Sequence, residues 1–219
     1  VAGCSLAESI TAKDVQRLKR KHPGVPVVSY INTYAAIKAE SNIICTSGNA
    51  LKIIESLPDK EIIFIPDKLM GRNLQKLTNK KLILWDGTCV VHEKFNADSI
   101  LKLRRQYPDA KILAHTECNP AIVDFADLAG STNDMLNFVN KTKVKDIMMI
   151  TECGLSDRVR VEHPEKNIVG ACNLCPYMKQ ITLEDVLSAL TRPKKNQVVK
   201  IPKNIVKKAK KAVDKMLMI

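Results

Sequence analysis

Three cysteines recur along the chain at nearly one spacing. Cys4 and Cys89 are 85 residues apart, and Cys89 and Cys175 are 86 residues apart. If the chain is built from equivalent units, this period brings one thiolate from each unit to a shared axis. Three thiolates suit a four-iron cluster with one iron left open as a Lewis acid, or a zinc ion with one open position. The spacing therefore predicts a metal centre, and both metals stay open at this point.

The remaining cysteines do not follow this period. Cys172 and Cys175 form a CxxC motif, which is typical of zinc sites and redox dithiols. The sequence has no second CxxC motif to complete a four-sulfur zinc site. We expect Cys172 to be a spare thiol that can enter a reversible disulfide. Three further cysteines are expected in the core or in loops: Cys45, Cys118 and Cys153.

The sequence around these cysteines is itself repeated at an offset of 84 or 85 residues. Residues 23–32 match 108–117, residues 46–48 match 130–132, and residues 63–67 match 148–152. In the first unit we predict strands at 27–30, 42–45, 61–65 and 81–85, and helices at 33–40, 49–57, 70–78 and 97–107.

Short apolar strands that alternate with helices indicate parallel sheets covered on both faces. The predicted fold is α/β, with tandem homologous three-layer αβα domains. The predicted boundaries are 8–92 and 93–179 for the two domains, with C-terminal helices over 180–219. Residues 1–7 would end an earlier unit that the chain lacks.

Polar residues follow the first strand of each unit. Tyr30 and Asn32 hold this position in the first unit, and His115 and Glu117 hold it in the second. Ligands of open α/β sheets bind beyond the carboxyl ends of the strands. His115 would serve as a general acid or base and Glu117 would accept a proton. The alternative is that His115 caps a helix and Glu117 is solvated.

Hydroxyl residues precede one predicted helix in each unit: Ser47 in the first, Ser131 and Thr132 in the second. Hydroxyls and helix N–H groups can bind a carboxylate or phosphate, although the same residues also serve as ordinary N-caps. Asp67 and Lys68 are interpreted as an exposed charge pair. The lysine-rich helical pattern over 202–219 is predicted to pack its apolar stripe on its own domain.

Composition narrows the class of partner. The formal net charge of +12 raises the possibility of nucleic-acid binding, but aromatic residues make up only 4% of the chain, so few side chains could stack on bases. No apolar run approaches the roughly 20 residues of a transmembrane helix. We expect a cytoplasmic protein that binds small anions and neither nucleic acid nor membrane.

Seven segments together resemble quinolinate synthase, in order along essentially the whole chain. They are residues 30–32, 45–50, 66–72, 87–92, 115–118, 130–132 and 175–178. The resemblance implies three homologous αβα domains around a pseudo-threefold axis and a [4Fe–4S] cluster. It also implies condensation of iminoaspartate with dihydroxyacetone phosphate, with loss of phosphate and water, to give quinolinate for NAD synthesis. An L-aspartate-oxidising enzyme would supply the iminoaspartate.

The resemblance assigns roles to individual residues. The cluster ligands would be Cys4, Cys89 and Cys175. The substrate-binding residues would be Tyr30, Asn32, Ser47, His115, Glu117, Ser131 and Thr132, of which Tyr30, His115 and Glu117 would be catalytic.

The sequence departs from the family at two points. Thr116 stands where the family usually has proline, and the family's first domain, with its own substrate contacts, is absent. These 219 residues alone are therefore expected to be inactive. Two other functions remain alternatives: an iron–sulfur redox sensor or nucleic-acid-binding protein, and a zinc-dependent lyase.

Overall fold

The computed structural model describes residues 3–170 and 172–219. The strands are β1 Val27–Tyr30, β2 Ile43–Cys45, β3 Glu61–Ile65, β4 Lys81–Leu84, β5 Lys111–His115, β6 Leu128–Gly130, β7 Asp146–Ile150 and β8 Asn167–Val169. The helices are α1 Ser5–Glu8, α2 Ala12–Lys21, α3 Ala35–Glu40, α4 Ala50–Ser56, α5 Lys68–Gln75, α6 Ala97–Gln106, α7 Pro120–Val123, α8 Thr132–Lys141, α9 Cys153–Glu162, α10 Leu183–Thr191 and α11 Lys203–Leu217. Short 3-10 helices cover His92–Lys94, Met178–Gln180 and Lys195–Gln197.

Two four-stranded parallel sheets form the framework. Their strand orders are β2-β1-β3-β4 and β6-β5-β7-β8, so the second sheet repeats the topology of the first. Every strand pair is parallel. The predicted α/β fold with tandem sheets is confirmed.

The apolar strands are buried on both faces because helices cover both sides of each sheet. In β3, Ile62 and Phe64 pack into one cluster, while Ile63 and Ile65 pack into another on the opposite face. The second sheet has the same arrangement, with Ile112 and Leu113 of β5 in separate clusters. Continuous apolar runs are what this double burial requires.

The repeat extends to a hydrogen bond at the start of each first strand. The side chain of Asn42 accepts a hydrogen bond from the backbone N–H of Val27 at 2.9 Å. Asp127 does the same for Ile112, also at 2.9 Å. One side chain in each unit therefore fixes the start of the strand whose other end carries the predicted site residues.

The C-terminal helix α11 packs on the first unit, against α3 and β2. Ala209 and Ala212 are buried in this contact, and Met216 packs against the core of the first sheet. The apolar stripe of this helix therefore covers the first unit, although the helix follows the second unit in the chain. Within residues 3–170 and 172–219, no helix combines the length and the apolar character needed to cross a bilayer.

One expectation from the sequence is wrong. Asp67 is fully buried rather than part of an exposed charge pair, because its side chain caps α5 by accepting a hydrogen bond from Met70 N–H at 2.7 Å. Cys172 forms a disulfide, as expected, and its partner is Cys153 across a sequence separation of 19 residues. Cys45, Cys118 and Cys153 are all buried in the core, which confirms their predicted placement.

Candidate functional site

A cavity of about 850 Å³ opens at the carboxyl ends of both sheets. Eight of the residues predicted to form the site line this cavity: Cys4, Tyr30, Asn32, Cys89, His115, Glu117, Thr132 and Cys175. Ser47 and Ser131 lie outside its lining. The fold thus gathers residues from both repeats into one space.

The three periodic cysteines are unpaired and half-buried at the cavity wall. Their three sulfur atoms do not all lie within 4.8 Å of one another. Thiolates are ligands of both iron–sulfur clusters and zinc. The donor set at this wall therefore fits a thiolate-bound metal centre.

Glu117 is the buried carboxylate of the site, with 2% of its surface exposed. Burial alone would raise its pKa. A hydrogen bond from His92 Nδ1 at 2.9 Å, with further favourable contacts to His115 and Tyr30, holds the pKa below the usual range. Glu117 is therefore a buried, ionised carboxylate, and the alternative of a solvated surface side chain is wrong.

His115 stacks against His92, with ring centroids 4.7 Å apart and an interplanar angle of 19°. Burial lowers the pKa of His115 to about 4, although the charge of Glu117 opposes this shift. Its Nδ1 accepts a hydrogen bond from the backbone N–H of Glu117 at 3.3 Å. The imidazole is therefore neutral at pH 7 with its proton on Nε2, and it does not cap a helix.

Tyr30 is buried at the end of β1. Burial, together with the negative charge of Glu117, raises the pKa of its phenol, while Ser47 opposes this effect. Tyr30 therefore keeps its proton. Its neutral hydroxyl group is the hydrogen-bond donor, and the ionised carboxylate of Glu117 is the acceptor.

Asp67 lies near Glu117 but takes the opposite protonation state. Burial and the charge of Glu117 raise its pKa well above the ordinary value. Its second carboxyl oxygen has no hydrogen-bond partner among the described residues. Of these two buried carboxyl groups, Glu117 is ionised and Asp67 is neutral, as expected for neighbouring like charges.

Two side chains position the loops that carry site residues. Asn73 of α5 donates its amide hydrogens to the carbonyl oxygens of Thr116 and Cys118, each at 2.8 Å. Glu152 accepts hydrogen bonds from the backbone N–H groups of Cys175 at 3.2 Å and of Gly154 at 2.6 Å. These contacts fix the turn around Glu117 and the loop around Cys175.

The two hydroxyl motifs meet beside the cavity. Ser131 caps α8 and forms a reciprocal capping box with Asp134. A Cβ atom at Gly48 would lie 3.4 Å from Ser131 Oγ, so the Ser47 loop contacts the start of α8. Ser131 is occupied as a helix cap, while Thr132 next to it faces the cavity.

The family model described as "NadA: Quinolinate synthetase A protein" matches residues 1–218. The chain belongs to this family. It is 47% identical over 218 residues to "Quinolinate synthase 1" of Mesorhizobium japonicum and 46% identical over 218 residues to "Quinolinate synthase" of Xylella fastidiosa. It is also 44% identical over 220 residues to "Quinolinate synthase" of Geobacter metallireducens. The matches cover 100% of this chain and 67%, 64% and 72% of these relatives. The chain thus spans about two thirds of the length of the curated relatives.

Sequence reasoning gave no site role to several residues that the structure places at or beside the cavity. They are Asp67, Asn73, Thr151 and Glu152. The repeat contains a signal for two of these residues, since it aligns Asp67 with Glu152. Both residues cap the helix that follows the third strand of their unit. Thr151 directly follows the apolar strand β7, and Asn73 lies in a helix of mixed composition, so the pattern alone gave neither of them a role.

Proposed function

We propose that the complete protein is a quinolinate synthase that condenses iminoaspartate with dihydroxyacetone phosphate, with loss of phosphate and water. One observation carries the proposal: unpaired cysteines of the cysteine repeat line the same cavity as Tyr30, His115 and Glu117. The names of the relatives support the same reaction.

In this proposal Cys4, Cys89 and Cys175 hold a [4Fe–4S] cluster. When bound, such a cluster supplies an open iron that acts as a Lewis acid on a substrate nitrogen or oxygen. Burial and the nearby Glu117 raise the pKa of the Cys89 thiol, so in the metal-free protein this residue is protonated. Binding of iron would displace that proton.

The protein groups divide the proton transfers between them. Joining the two substrates requires that a proton leave a carbon atom, and the later dehydrations require that leaving hydroxyl groups be protonated. Glu117 would accept the first proton, because it is ionised, lines the cavity and is oriented by the hydrogen bond from His92. Neutral Tyr30 is suited to donate a proton or a hydrogen bond to an oxygen.

His115 has a different part in this proposal. A neutral imidazole with its proton on Nε2 donates a hydrogen bond without introducing a charge. It would polarise a substrate carbonyl or stabilise a developing oxyanion. Its stacking on His92 keeps the ring in one orientation.

Anionic groups of the substrates would lie toward the hydroxyl motifs. Asn32 and Thr132 line the cavity, and Thr132 begins α8, whose N-terminus attracts anions. Ser47 and Ser131 would complete this side of the site. The role proposed for these residues is to orient carboxylate and phosphate groups so that the reacting carbons meet near Glu117.

The test uses the complete protein prepared without oxygen. We expect about four irons and four sulfides per chain, with absorption that bleaches in air, and formation of quinolinate from the two substrates. Glu117→Gln should abolish quinolinate formation and leave the visible spectrum unchanged. The matched control is Glu165→Gln at an exposed site, with turnover expected to match the wild type.

Two results would overturn the proposal. One is failure of the zinc-free protein to bind iron and sulfide when it is reconstituted with both without oxygen, and the other is normal turnover in Glu117→Gln. Binding to DNA or RNA with a steep salt dependence, in the absence of quinolinate formation, would favour the iron–sulfur sensor instead.

A further inference from the structure

Cys89, His92 and Glu117 form a second potential metal site within the cavity. One ligand atom from each lies within 4.8 Å of the others. Among residues 3–170 and 172–219 this is the only group of at least three histidine, cysteine or acidic side chains that meets this distance. It shares one cysteine with the three-cysteine set and is otherwise separate from it.

The local backbone explains why the three groups converge. Cys89 and His92 belong to one turn, closed by a hydrogen bond from Glu93 N–H to the carbonyl of Cys89 at 3.0 Å. His92 then begins a 3-10 helix, which turns its ring inward. Glu117 arrives from the other unit, two residues beyond the end of β5. Both elements are fixed by main-chain hydrogen bonds, so the three side chains are pre-positioned.

His92 has the outer contact that metal-binding histidines usually show. Its Nδ1 lies 2.9 Å from Glu117 and its Nε2 lies 3.1 Å from the hydroxyl of Thr151. Thr151 is 2% exposed, so this second contact is protected from water. A hydroxyl can donate or accept, so it can hold the imidazole in either tautomer. Such partners orient the ring and raise metal affinity.

We propose that the cluster-free protein binds one Zn²⁺ ion through Cys89 Sγ, His92 Nδ1 and a carboxylate oxygen of Glu117. Zinc accepts this mixture of sulfur, nitrogen and oxygen at bond lengths of about 2.0–2.3 Å. The gap between His92 and Glu117 needs to widen by only about 0.4 Å to reach tetrahedral spacing. The fourth position faces the cavity and takes water.

The proton balance of this binding step is simple. The Cys89 thiol loses its proton to solvent and becomes a thiolate. The His92 proton moves from Nδ1 to Nε2, where the Thr151 hydroxyl accepts its hydrogen bond. Ionised Glu117 binds without losing a proton. One proton is released for each zinc ion bound.

Zinc at this position would compete with the cluster for Cys89 and would occupy Glu117. This consequence rests on the proposed function, whereas zinc binding itself does not. We therefore expect zinc to block cluster assembly when it is added first.

The experiment titrates Zn²⁺ alone into the complete, cluster-free, reduced protein against a chelating indicator. We expect one zinc ion per chain. His92→Ala should weaken binding more than tenfold, and Thr151→Val, which keeps all three ligands, should weaken it about 10-fold. Cys4→Ser and Cys175→Ser are the matched controls and should bind zinc like the wild type.

Co²⁺ provides a second readout that does not depend on affinity. Its charge-transfer absorption should correspond to one thiolate, be lost in Cys89→Ser and persist in Cys4→Ser. Circular dichroism and thermal unfolding identify any variant that fails to fold, and Thr151→Val provides the test if His92→Ala does not fold.

The proposal is overturned if Cys4→Ser and Cys175→Ser lose zinc as fully as Cys89→Ser, because the three thiols would then share the ion. It is also overturned if His92→Ala and Thr151→Val both bind zinc like the wild type. Normal zinc binding in protein that never assembles a cluster would overturn the proposed function and leave this site intact.

Discussion

Asn73 in the first unit donates a hydrogen bond at 2.8 Å to the carbonyl oxygen of Thr116 in the second unit. The same amide group donates to the carbonyl of Cys118, so one side chain holds the turn on both sides of Glu117. Asn73 itself is 5% exposed. The position of the buried carboxylate thus depends on a helix of the neighbouring repeat.

We predict that Asn73→Leu lowers the free energy of unfolding by about 2–3 kcal/mol, because it leaves two carbonyl groups near the domain contact without a donor. It should also accelerate hydrogen exchange around residues 115–118. Chemical denaturation and exchange mass spectrometry measure the two effects. Gln75→Leu on the same helix is the matched control, because the hydrogen bonds of Gln75 among the described residues are to Thr78, Lys80 and Leu82 of its own unit. Equal exchange around 115–118 in both variants would contradict the positioning role.

Glu152 is predicted to stabilise the loop that carries Cys175. In Glu152→Ala the backbone N–H of Cys175 loses its acceptor. Protein reconstituted with iron and sulfide should then lose its visible absorption faster than the wild type in the presence of a chelator. Asp157→Ala, which removes an exposed ion pair with Arg160 on the same helix, is the control. Identical decay in wild type and Glu152→Ala would refute the prediction.

The Cys153–Cys172 disulfide should stabilise the oxidised protein. Closing a loop of this length lowers the conformational entropy of the unfolded chain and so contributes about 3 kcal/mol to the free energy of unfolding. Cys172→Ser should therefore lower the free energy of unfolding by that amount without reductant and have little effect with reductant. Peptide mapping of the non-reduced protein should find residues 153 and 172 linked and Cys175 open to alkylation. A Cys172–Cys175 link in that map would contradict the structure.

Asp127 gives a prediction about pH. Burial tends to raise its pKa, but the hydrogen bond from Ile112 N–H and the charge of Lys111 hold the pKa below the ordinary value. A depressed carboxyl pKa stabilises the folded state above the unfolded value near 3.9, and this stability is lost as the pH falls through the folded value.

Asp127→Asn should keep the strand hydrogen bond, because Asn42 makes the same bond in the first unit. Its cost at pH 7 should be below about 1 kcal/mol, since most of the carboxylate's ion pairing is near solvent. The difference from the wild type should shrink between pH 5 and lower pH, as followed by denaturation at each pH. Asp127→Ala loses the acceptor as well, so at each pH it should cost about 1–2 kcal/mol more than Asp127→Asn. A pH-independent difference for Asp127→Asn would contradict the assignment.

Much of the fold followed from local pattern. The strands Val27–Tyr30 and Glu61–Ile65 have the predicted bounds, because turn residues on either side of each apolar run define where the strand begins and ends. The repeat extended the same reasoning to the second unit. Helix α5 begins at Lys68, two residues before the prediction, because the capping role of Asp67 was not recognised.

The site was harder to derive, because its organising contacts join residues distant in sequence. Period and strand-end position singled out Cys89, His115 and Glu117, and the structure brings these three residues to one cavity. No pattern shows that His92 bonds to Glu117, or that Cys153 rather than Cys175 lies beside Cys172. Such pairings depend on how the two sheets dock. The domain boundaries and the roles of the predicted site residues stay predictions.

The cavity is lined by both repeats, so it behaves like the interface of a dimer whose two subunits share one chain. The short connection between β4 and α6 acts as a tether that keeps each half at a high effective concentration near the other. A substitution in the cavity lining of one repeat is then tolerated only if the lining of the other repeat remains complementary to it. Each repeat has its own fold, but neither has a complete site until the two associate.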